Sequence, residues 1–524
     1  MEQIFINGKS VPAERGVLLS KVLQENSDFK MPCAGGGNCG KCKVQVSGQL
    51  SDPDSAELRL LTEEELAAGV RLACRTRVQG PAQVNWTGRQ IAGIALGPAA
   101  QTEQSAGQLQ QERLDGPMAG QKAGGPAPLF VRLGVAVDIG TTTLAARLYD
   151  KNGLLAQAGC DNPQGAFGAD VISRIGRSLA GEGPALARAV RRGINELLER
   201  LCREATGRIA PGQIDTLVIT GNTTMLYLLT ERDPDCLSHA PFQADWLAGE
   251  WVTGRSLDLI CPKARVWLPP CVSAFVGADT VTALLAAHIL HGESPRLLVD
   301  IGTNGEIALW NQGTLTCCST AAGPAFEGAG LTMGMQGETG AISHVKYVAG
   351  EARPMFLTEV IGDTAPKGIC GSGVVDAVYC LLQSGRMDDT GYLEEETVVI
   401  AGNVVMTQED VRKVQLAKSA ICAGIEVLLQ HQGLEVWQLK ELLVAGGFGS
   451  FLDLDSARGI GLLPGQLPQV TTVCGNGALT GAAGILLERE ELQEAKRIAA
   501  CTQPVNLAVD EAFMEKYVEN MFFR

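Results

Sequence analysis

A chain of 524 residues with 45% hydrophobic and 19% charged residues can bury several cores, which excludes a disordered protein and predicts two to four globular units. Its 43 basic and 58 acidic residues leave a net charge of −15, which argues against a broad nucleic-acid surface and supplies no basic patch for anionic lipid. The N-terminal MEQIFINGKS lacks the basic-then-apolar pattern of a signal peptide. The apolar stretch around Val281 to Leu290 is too short to span a bilayer, so a cytoplasmic protein with no membrane contact is expected.

Residues 1–84 contain ten basic and ten acidic residues, so the whole negative balance lies downstream and the first 84 residues read as a separate domain. IFINGKSV reads as a hairpin, GVLLSKVLQEN as an amphipathic helix, and KCKVQV and VRLACRTRV as strands, with Thr62 and Glu65 forming a capping box. In MPCAGGGNCGKCKV, five residues separate Cys33 from Cys39 and two separate Cys39 from Cys42; Cys74 follows thirty-one residues later. In a reducing compartment clustered cysteines point to a metal site rather than to disulfides. Four thiolates satisfy two sulfide-bridged irons, and a Gly-rich loop lets the backbone wrap a cluster and turn N–H groups toward its sulfurs. A structural zinc site is the alternative, although zinc ligands usually come as two close pairs and here three cysteines crowd one loop. The spacing resembles the 2Fe-2S ferredoxins of β-grasp fold, closer to the five-residue gap of adrenodoxin-like members than to the four-residue gap of plant types. The other twelve cysteines are scattered and read as core residues, so no second cluster is expected.

From Gly97 to Pro128 the only large apolar residues are Leu109, Leu114 and Met118, too few for a core, so residues 85–130 read as a flexible linker. Thirty-two flexible residues would have a root-mean-square span of roughly 30 Å, shortened if Gln108 to Asp115 is helical. Beyond it the chain repeats itself. VAVDIGTTTLAARLYD from Val135 matches LLVDIGTNGEIALW from Leu297, with Val-Asp-Ile-Gly-Thr identical in both. TLVITGNTTM from Thr216 resembles ELLVAGGFGS from Glu441, a buried strand running into a turn. Two related lobes, 131–294 and 295–524, are expected. GADTVTALLAA from Gly277 and GNGALTGAAG from Gly475 read as small-faced helices able to cross closely, a hinge between the lobes.

No G-x-x-x-x-G-K-S/T sequence occurs, which excludes a Walker-type phosphate loop. A strand-turn-strand hairpin with Asp at the strand end and Gly-Thr in the turn offers N–H groups and hydroxyls to phosphate, and its carboxylate can hold magnesium through water. One such turn is an ordinary β-turn as readily as a site; two copies are more telling. Paired hairpins followed by a strand-Gly-Gly turn resemble the acetate and sugar kinase, heat-shock chaperone and actin superfamily, in which ATP lies between two lobes. That resemblance implies a first phosphate motif at Asp138, Gly140, Thr141, Thr142 and Thr143 and a second at Asp300, Gly302, Thr303 and Asn304. It sets Gly446, Gly447 and Gly449 against the adenosine. GICGSGVVD, with Gly371, Ser372 and Gly373, reads as a glycine turn opening a helix, suited to anion or ribose contact or simply to a tight turn. Glu306, Glu327 and Asp279 are the acidic residues that would position a hydrolytic water, each equally able to cap a helix or pair with a lysine.

The whole chain resembles the reductive activators of corrinoid proteins, in which a 2Fe-2S domain, a linker and an actin-like ATPase follow in this order. CSTAAGPAFEGAG, GICGSGVVDAV, TQEDVRKVQLAKSAI, VAGGFGSFLDLDSARGIGLLP and GNGALTGAAG carry that resemblance. It implies an ATP-dependent activase with a 2Fe-2S cluster, ATP and magnesium, reducing an inactive Co(II) corrinoid to Co(I) by electron transfer. A plant-type cluster lies near about −400 mV, and each further 59 mV uphill costs roughly 1.4 kcal/mol, so a lower cobalt couple would make ATP use sensible. The D-x-H-x-x-G signature of a cobalamin carrier is absent, and none of His239, His288, His291, His344 and His431 sits in such a setting, so the corrinoid is expected on a partner protein. An upstream electron donor and a homodimer are further implications. Two other readings stay open on sequence: an ATP-driven donor to another low-potential acceptor, and a cluster-gated redox-sensing ATPase.

Overall fold

The computed structural model describes residues 2–26, 29, 42–85, 127–205, 209–348, 355–447, 451–466 and 468–523. In the first domain β1 (Glu2–Ile6) and β2 (Lys9–Ala13) form a hairpin. Asn7 and Gly8, at φ 48° and 84°, supply the positive dihedrals that a tight hairpin turn requires. Helix α1 (Leu19–Asn26) sends Leu19, Val22 and Leu23 into a core shared with Ile4, Val44, Leu72 and Val84. β3 (Lys43–Leu50), α2 (Ser55–Leu60), α3 (Glu63–Ala67), β4 (Val70–Leu72) and β5 (Val78–Asn85) complete it. The sheet runs β2-β1-β5-β3-β4, with β1 and β5 parallel. Strict alternation of buried and exposed residues along β5 marks a sheet covered on one face. The capping box forms: Glu65 N donates to Thr62 Oγ1 at 3.1 Å and Thr62 N to Glu65 Oε2 at 3.0 Å.

VRLACRTRV is two strands rather than one. Thr76 N bonds to Leu72 O and Ala73 N to Cys42 O, which closes a turn carrying Cys74. Glu57, fully buried, holds that turn from behind. It takes two bonds from Arg71 (2.8 and 2.9 Å), one from Leu72 N (2.9 Å) and one from Thr76 Oγ1 (3.2 Å). The expected linker lies mostly outside the described residues; at its end, Leu129 N bonds to Leu486 O and Phe130 is buried.

The remaining chain forms two six-stranded sheets and, within the second lobe, a smaller three-stranded and a two-stranded sheet. The first is built from β6 (Gly134–Ile139), β7 (Thr143–Asp150), β8 (Gly153–Asp161), β9 (Thr216–Gly221), β10 (Ala248–Thr253) and β11 (Arg265–Pro270), in the order β10-β11-β9-β6-β7-β8. Its helices are α4 (Val171–Arg177), α5 (Gly183–Glu204), α6 (Thr223–Leu229) and α7 (Ala278–Ala286). In the second lobe β12 (Arg296–Ile301), β13 (Gly305–Asn311) and β14 (Thr314–Thr320) form the hairpins. They are followed by β15 (Ala341–Val348), β16 (Met355–Val360), β17 (Gly368–Ile369), α8 (Gly371–Gln383), β18 (Thr397–Ala401), β19 (Val404–Thr407) and α9 (Gln408–His431). β20 (Glu441–Ala445), α10 (Leu454–Gly459), β21 (Val470–Gly475), α11 (Gly477–Leu487), α12 (Glu491–Cys501), β22 (Thr502–Pro504) and α13 (Glu511–Glu519) end the chain. The order β21-β20-β12-β13-β14-β22 repeats the first sheet's plan, three antiparallel strands with a parallel strand added beside the first. Strands β6 and β12 are buried along nearly their whole length, as strands covered on both faces must be, and the Asp near each end keeps partial exposure.

Between the sheets α7 and α11 cross closely. A Cβ on Gly481 would lie 1.8 Å from the Thr282 carbonyl oxygen, so the two backbones nearly touch and only glycine fits. Leu284, Leu285, Leu479 and Ile485 from this crossing share one core with Val218 of the first sheet and Leu298 and Leu443 of the second. No helix among the described residues is long and apolar enough to cross a membrane. For the first domain, Glu57→Ala strands the buried Arg71 and two further donors, Leu72 N and Thr76 Oγ1. It is expected to cost about 3–5 kcal/mol, read as a lowered denaturant midpoint for the unfolding step that loses the ferredoxin-type sheet.

Candidate functional site

A cleft of ≈ 460 Å³ lies between the lobes, with both hairpin turns on its walls. Asp138 and Asp300 occupy equivalent positions, one residue before the end of β6 and of β12. Asp279, in the first turn of α7, and Glu306, on β13 opposite Asp300, join them on the cleft floor. Burial pushes Asp138 and Asp300 up to about 7 and Asp279 to about 6, and raises Glu306 well above the usual carboxylate range. Mutual repulsion adds to the rise at Asp138, Asp300 and Glu306. These four half-buried carboxylates are not placed to ligate one ion together, but their oxygens suit magnesium held through its water shell.

The two turns meet at one atom. Thr142 Oγ1 and Thr303 Oγ1 donate to Glu327 Oε2 at 2.7 and 2.8 Å, and the hydroxyls lie 3.3 Å from each other. Glu327 ends a one-turn 3-10 helix (Pro324–Glu327) between Gly323 and Gly328, both at positive φ, 77° and 70°. A Cβ on Gly328 would lie 2.0 Å from Met335 O, which explains the glycine that follows the acid in GPAFEGAG.

The first turn is also braced from behind. Arg174, buried on α4, donates Nη2 to Thr141 O at 2.5 Å and Nε to Gly168 O at 2.9 Å, and burial lowers its pKa to about 10. Two asparagines serve helix and hairpin at once. Asn222 Oδ1 caps α6 through Met225 N while its Nδ2 donates to Thr141 Oγ1 at 3.2 Å. Asn476 Oδ1 caps α11 through Leu479 N while its Nδ2 donates to Asp138 Oδ2 at 2.9 Å.

Of the residues singled out in the sequence, Asp138, Gly140, Thr141, Thr142, Thr143, Asp300, Gly302, Thr303, Asn304, Gly371, Ser372, Gly446 and Gly447 all line the cleft, together with Asp279, Glu306 and Glu327. Gly373 stands behind the wall instead: a Cβ there would lie 2.3 Å from Ile342 O, so its absence lets α8 pack on β15. Gly449 lies outside the described residues. Asn222, Asn476, Arg174, Gln336 and His344 were not anticipated. The asparagines carried a readable signal, an N-cap residue after a strand in TGNTTM and CGNGAL.

In the first domain, Cys42 and Cys74 are buried with their sulfurs 3.2 Å apart, brought together by the end of the cysteine loop and the turn that Glu57 supports. Cys33 and Cys39 lie outside the described residues. Convergence of two thiols from distant segments fits the donor set of a shared iron-sulfur cluster, which the four cysteines would hold. Eight of the other twelve cysteines are buried and four half-buried, and no group of three metal-ligating side chains occurs among the described residues.

These features define an ATPase of the ASKHA fold joined to a ferredoxin domain. Residues 4–79 match the 2Fe-2S iron-sulfur cluster binding domain, 133–292 the RACo middle region and 294–524 the C-terminal ASKHA domain of RACo. The corrinoid activation enzyme RamQ of Eubacterium limosum is 39% identical over 425 residues, 74% of this chain and 70% of that protein. The Co(II) methylated amine-specific corrinoid protein reductase of Methanosarcina barkeri is 25% identical over 427 residues, 74% of this chain and 76% of that one. A solved structure of a reductive activator for corrinoid, iron-sulfur protein superposes with a TM-score of 0.68 at 27% identity, covering 100% of this chain and 98% of the other. The chain belongs to the RACo family of corrinoid-protein activators.

Arg174→Ala releases the Thr141 carbonyl and with it the first turn. It is expected to lower kcat/KM for ATP hydrolysis by at least about tenfold while leaving the iron-sulfur absorbance unchanged, checked by steady-state assay beside the visible spectrum.

Proposed function

We propose that this protein is an ATP-dependent reductive activator that returns the cobalt of a corrinoid protein from Co(II) to Co(I). The observation that carries the ATPase half is the meeting of Thr142 and Thr303, one from each lobe, on Glu327 Oε2. Such a convergence puts hydroxyls and turn amides from both lobes where one terminal phosphate can reach them all. Entry of ATP exchanges the Glu327 contacts of the two threonines for phosphate oxygens and frees the Glu327 carboxylate to orient the attacking water. Asp138 and Asp300, with Asp279 and Glu306 beside them, would hold magnesium through water, and the ion would neutralise phosphate charge. Gly446 and Gly447 face the adenosine: Gly446, at φ 104°, would place a Cβ 2.3 Å from Ile301 O, so its turn lies directly against the second hairpin.

Cys33, Cys39, Cys42 and Cys74 hold the 2Fe-2S cluster, which supplies one-electron reducing chemistry when bound. The chain divides into a ferredoxin-type domain at 1–84, a linker at 85–130, and lobes at 131–294 and 295–524. This division lets the cluster domain visit both an upstream donor and the corrinoid partner. Nucleotide contacts on both lobes favour their closed arrangement, and the backbone contact between Gly481 and Thr282 is the pivot. The corrinoid arrives on the partner protein; a homodimer and a cytoplasmic setting complete the reading.

The test is anaerobic absorbance of the purified protein with a Co(II) corrinoid protein and a chemical reductant, with and without Mg-ATP. The Co(I) band is expected only with ATP. An intact 2Fe-2S spectrum and active ATP hydrolysis without Co(I) would overturn the acceptor assignment. Cys39→Ser is expected to abolish the cluster spectrum and keep ATP binding, and Asp138→Ala or Asp300→Ala to do the reverse. Glu327→Gln is expected to slow hydrolysis on the order of a hundredfold with little change in KM for ATP.

A further inference from the structure

Among the described residues the cleft walls carry seven carboxylates and no lysine or arginine; His344 is the one basic side chain there. It stands on β15 beside the first turn of α8, whose Gly371 and Ser372 also line the cleft. Its Nδ1 lies 2.9 Å from Asp376 Oδ2, an oxygen that also accepts Val345 N at 3.2 Å. Asp376 is 2% exposed, and its Oδ1 has no hydrogen-bond partner among the described residues. A buried carboxylate so sparsely bonded is stabilised mainly by its charged partner. With Nδ1–H directed at Asp376, the opposite ring nitrogen is the one left for the cleft. The nearest guanidinium to the phosphate turns, Arg174, is buried and committed to backbone carbonyls.

We propose that His344, oriented by Asp376, is the cationic contact of the nucleotide cleft and binds the phosphate nearest the nucleoside, together with the first-turn amides of α8. This deepens the ATPase reading above and rests on it. The hairpin turns take the terminal phosphates, which leaves the inner phosphate for the wall formed by β15 and α8. A helix of thirteen residues presents its positive end there, and an imidazolium beside it completes an anion site. The groups acting on His344 are Asp376 on α8, Glu359 on β16 and Asp453 at the start of α10. The bond to Asp376 holds the imidazole above its ordinary pKa against the opposing effect of burial, and the other two carboxylates add to the rise. The charge is therefore present below that raised value and is lost as pH rises through it.

The test compares binding of Mg-ATP, ADP, AMP and adenosine to the full chain and to His344→Ala, His344→Gln and Asp376→Asn by titration calorimetry from pH 6 to 9, with ATP hydrolysis followed in parallel. His344→Ala is expected to weaken ATP, ADP and AMP about tenfold at the acid end and adenosine hardly at all, raising KM for ATP with kcat largely kept. His344→Gln restores a donor without charge and is expected to recover only part of the loss. The ratio of wild-type to His344→Ala affinity should shrink toward one as pH rises, which separates this imidazole from the cleft carboxylates shared by both proteins. Asp376→Asn should bring that pH-dependent part down toward His344→Ala. Equal affinities for wild type and His344→Ala at every pH, with wild type binding ATP normally, would overturn the inference alone. Failure of the wild-type protein to bind Mg-ATP would overturn the nucleotide reading as well.

Discussion

Everything in the ATPase half depends on one carboxylate oxygen. Glu327 Oε2 accepts a hydroxyl from each of two turns that belong to different lobes and lie 161 residues apart in the chain. The contact is possible because each hairpin carries an Asp near the end of its first strand and a threonine in the turn beyond it, although the first turn is one residue longer, with Ile139 paired to Leu144 and Ile301 to Gly305. Remove the shared acceptor and the lobes are still joined through α7 and α11, but only the 3.3 Å approach of the two threonine hydroxyls is left to pair the turns across the cleft. An enzyme that couples nucleotide state to lobe position needs such a contact, strong enough to define one arrangement and exchangeable for phosphate.

The electrostatics push in the same direction. Asp138, Asp279, Asp300 and Glu306 are held together at a cost in burial and repulsion that appears as raised pKa values. Asn476 offsets part of that cost at Asp138 and is itself fixed by capping α11, the helix whose Gly481 touches the Thr282 backbone. One side chain, Asn476, thus touches both the charged cleft floor and the helix that crosses between the lobes. The ferredoxin domain solves its own problem separately: Glu57 gathers four donors to hold the turn that brings Cys74 to Cys42.

The parts of this architecture legible in the sequence are those encoded within a few residues. The two Val-Asp-Ile-Gly-Thr segments, the cysteine spacing, the Asn-Gly turn and the Thr62–Glu65 box each state their own local geometry. Arrangements that depend on distant partners were not legible. Asn476 meets Asp138 across 338 positions, and Arg174 reaches Thr141 from a helix with no motif of its own. VRLACRTRV has the pattern of one strand, and it breaks because Glu57, on another element, captures its backbone and Arg71. Gly373 shows the converse: its place in a glycine motif suggested ligand contact, while its missing side chain serves helix packing.

The most direct measurement of the central claim is a double-mutant cycle on ATP hydrolysis with Thr142→Val, Thr303→Val and the pair. If both hydroxyls act on one shared group, the pair should lose little more kcat/KM than the worse single variant, a coupling on the order of 1–3 kcal/mol. Losses that add to within about 0.5 kcal/mol would mean that the two turns work independently and would contradict the account.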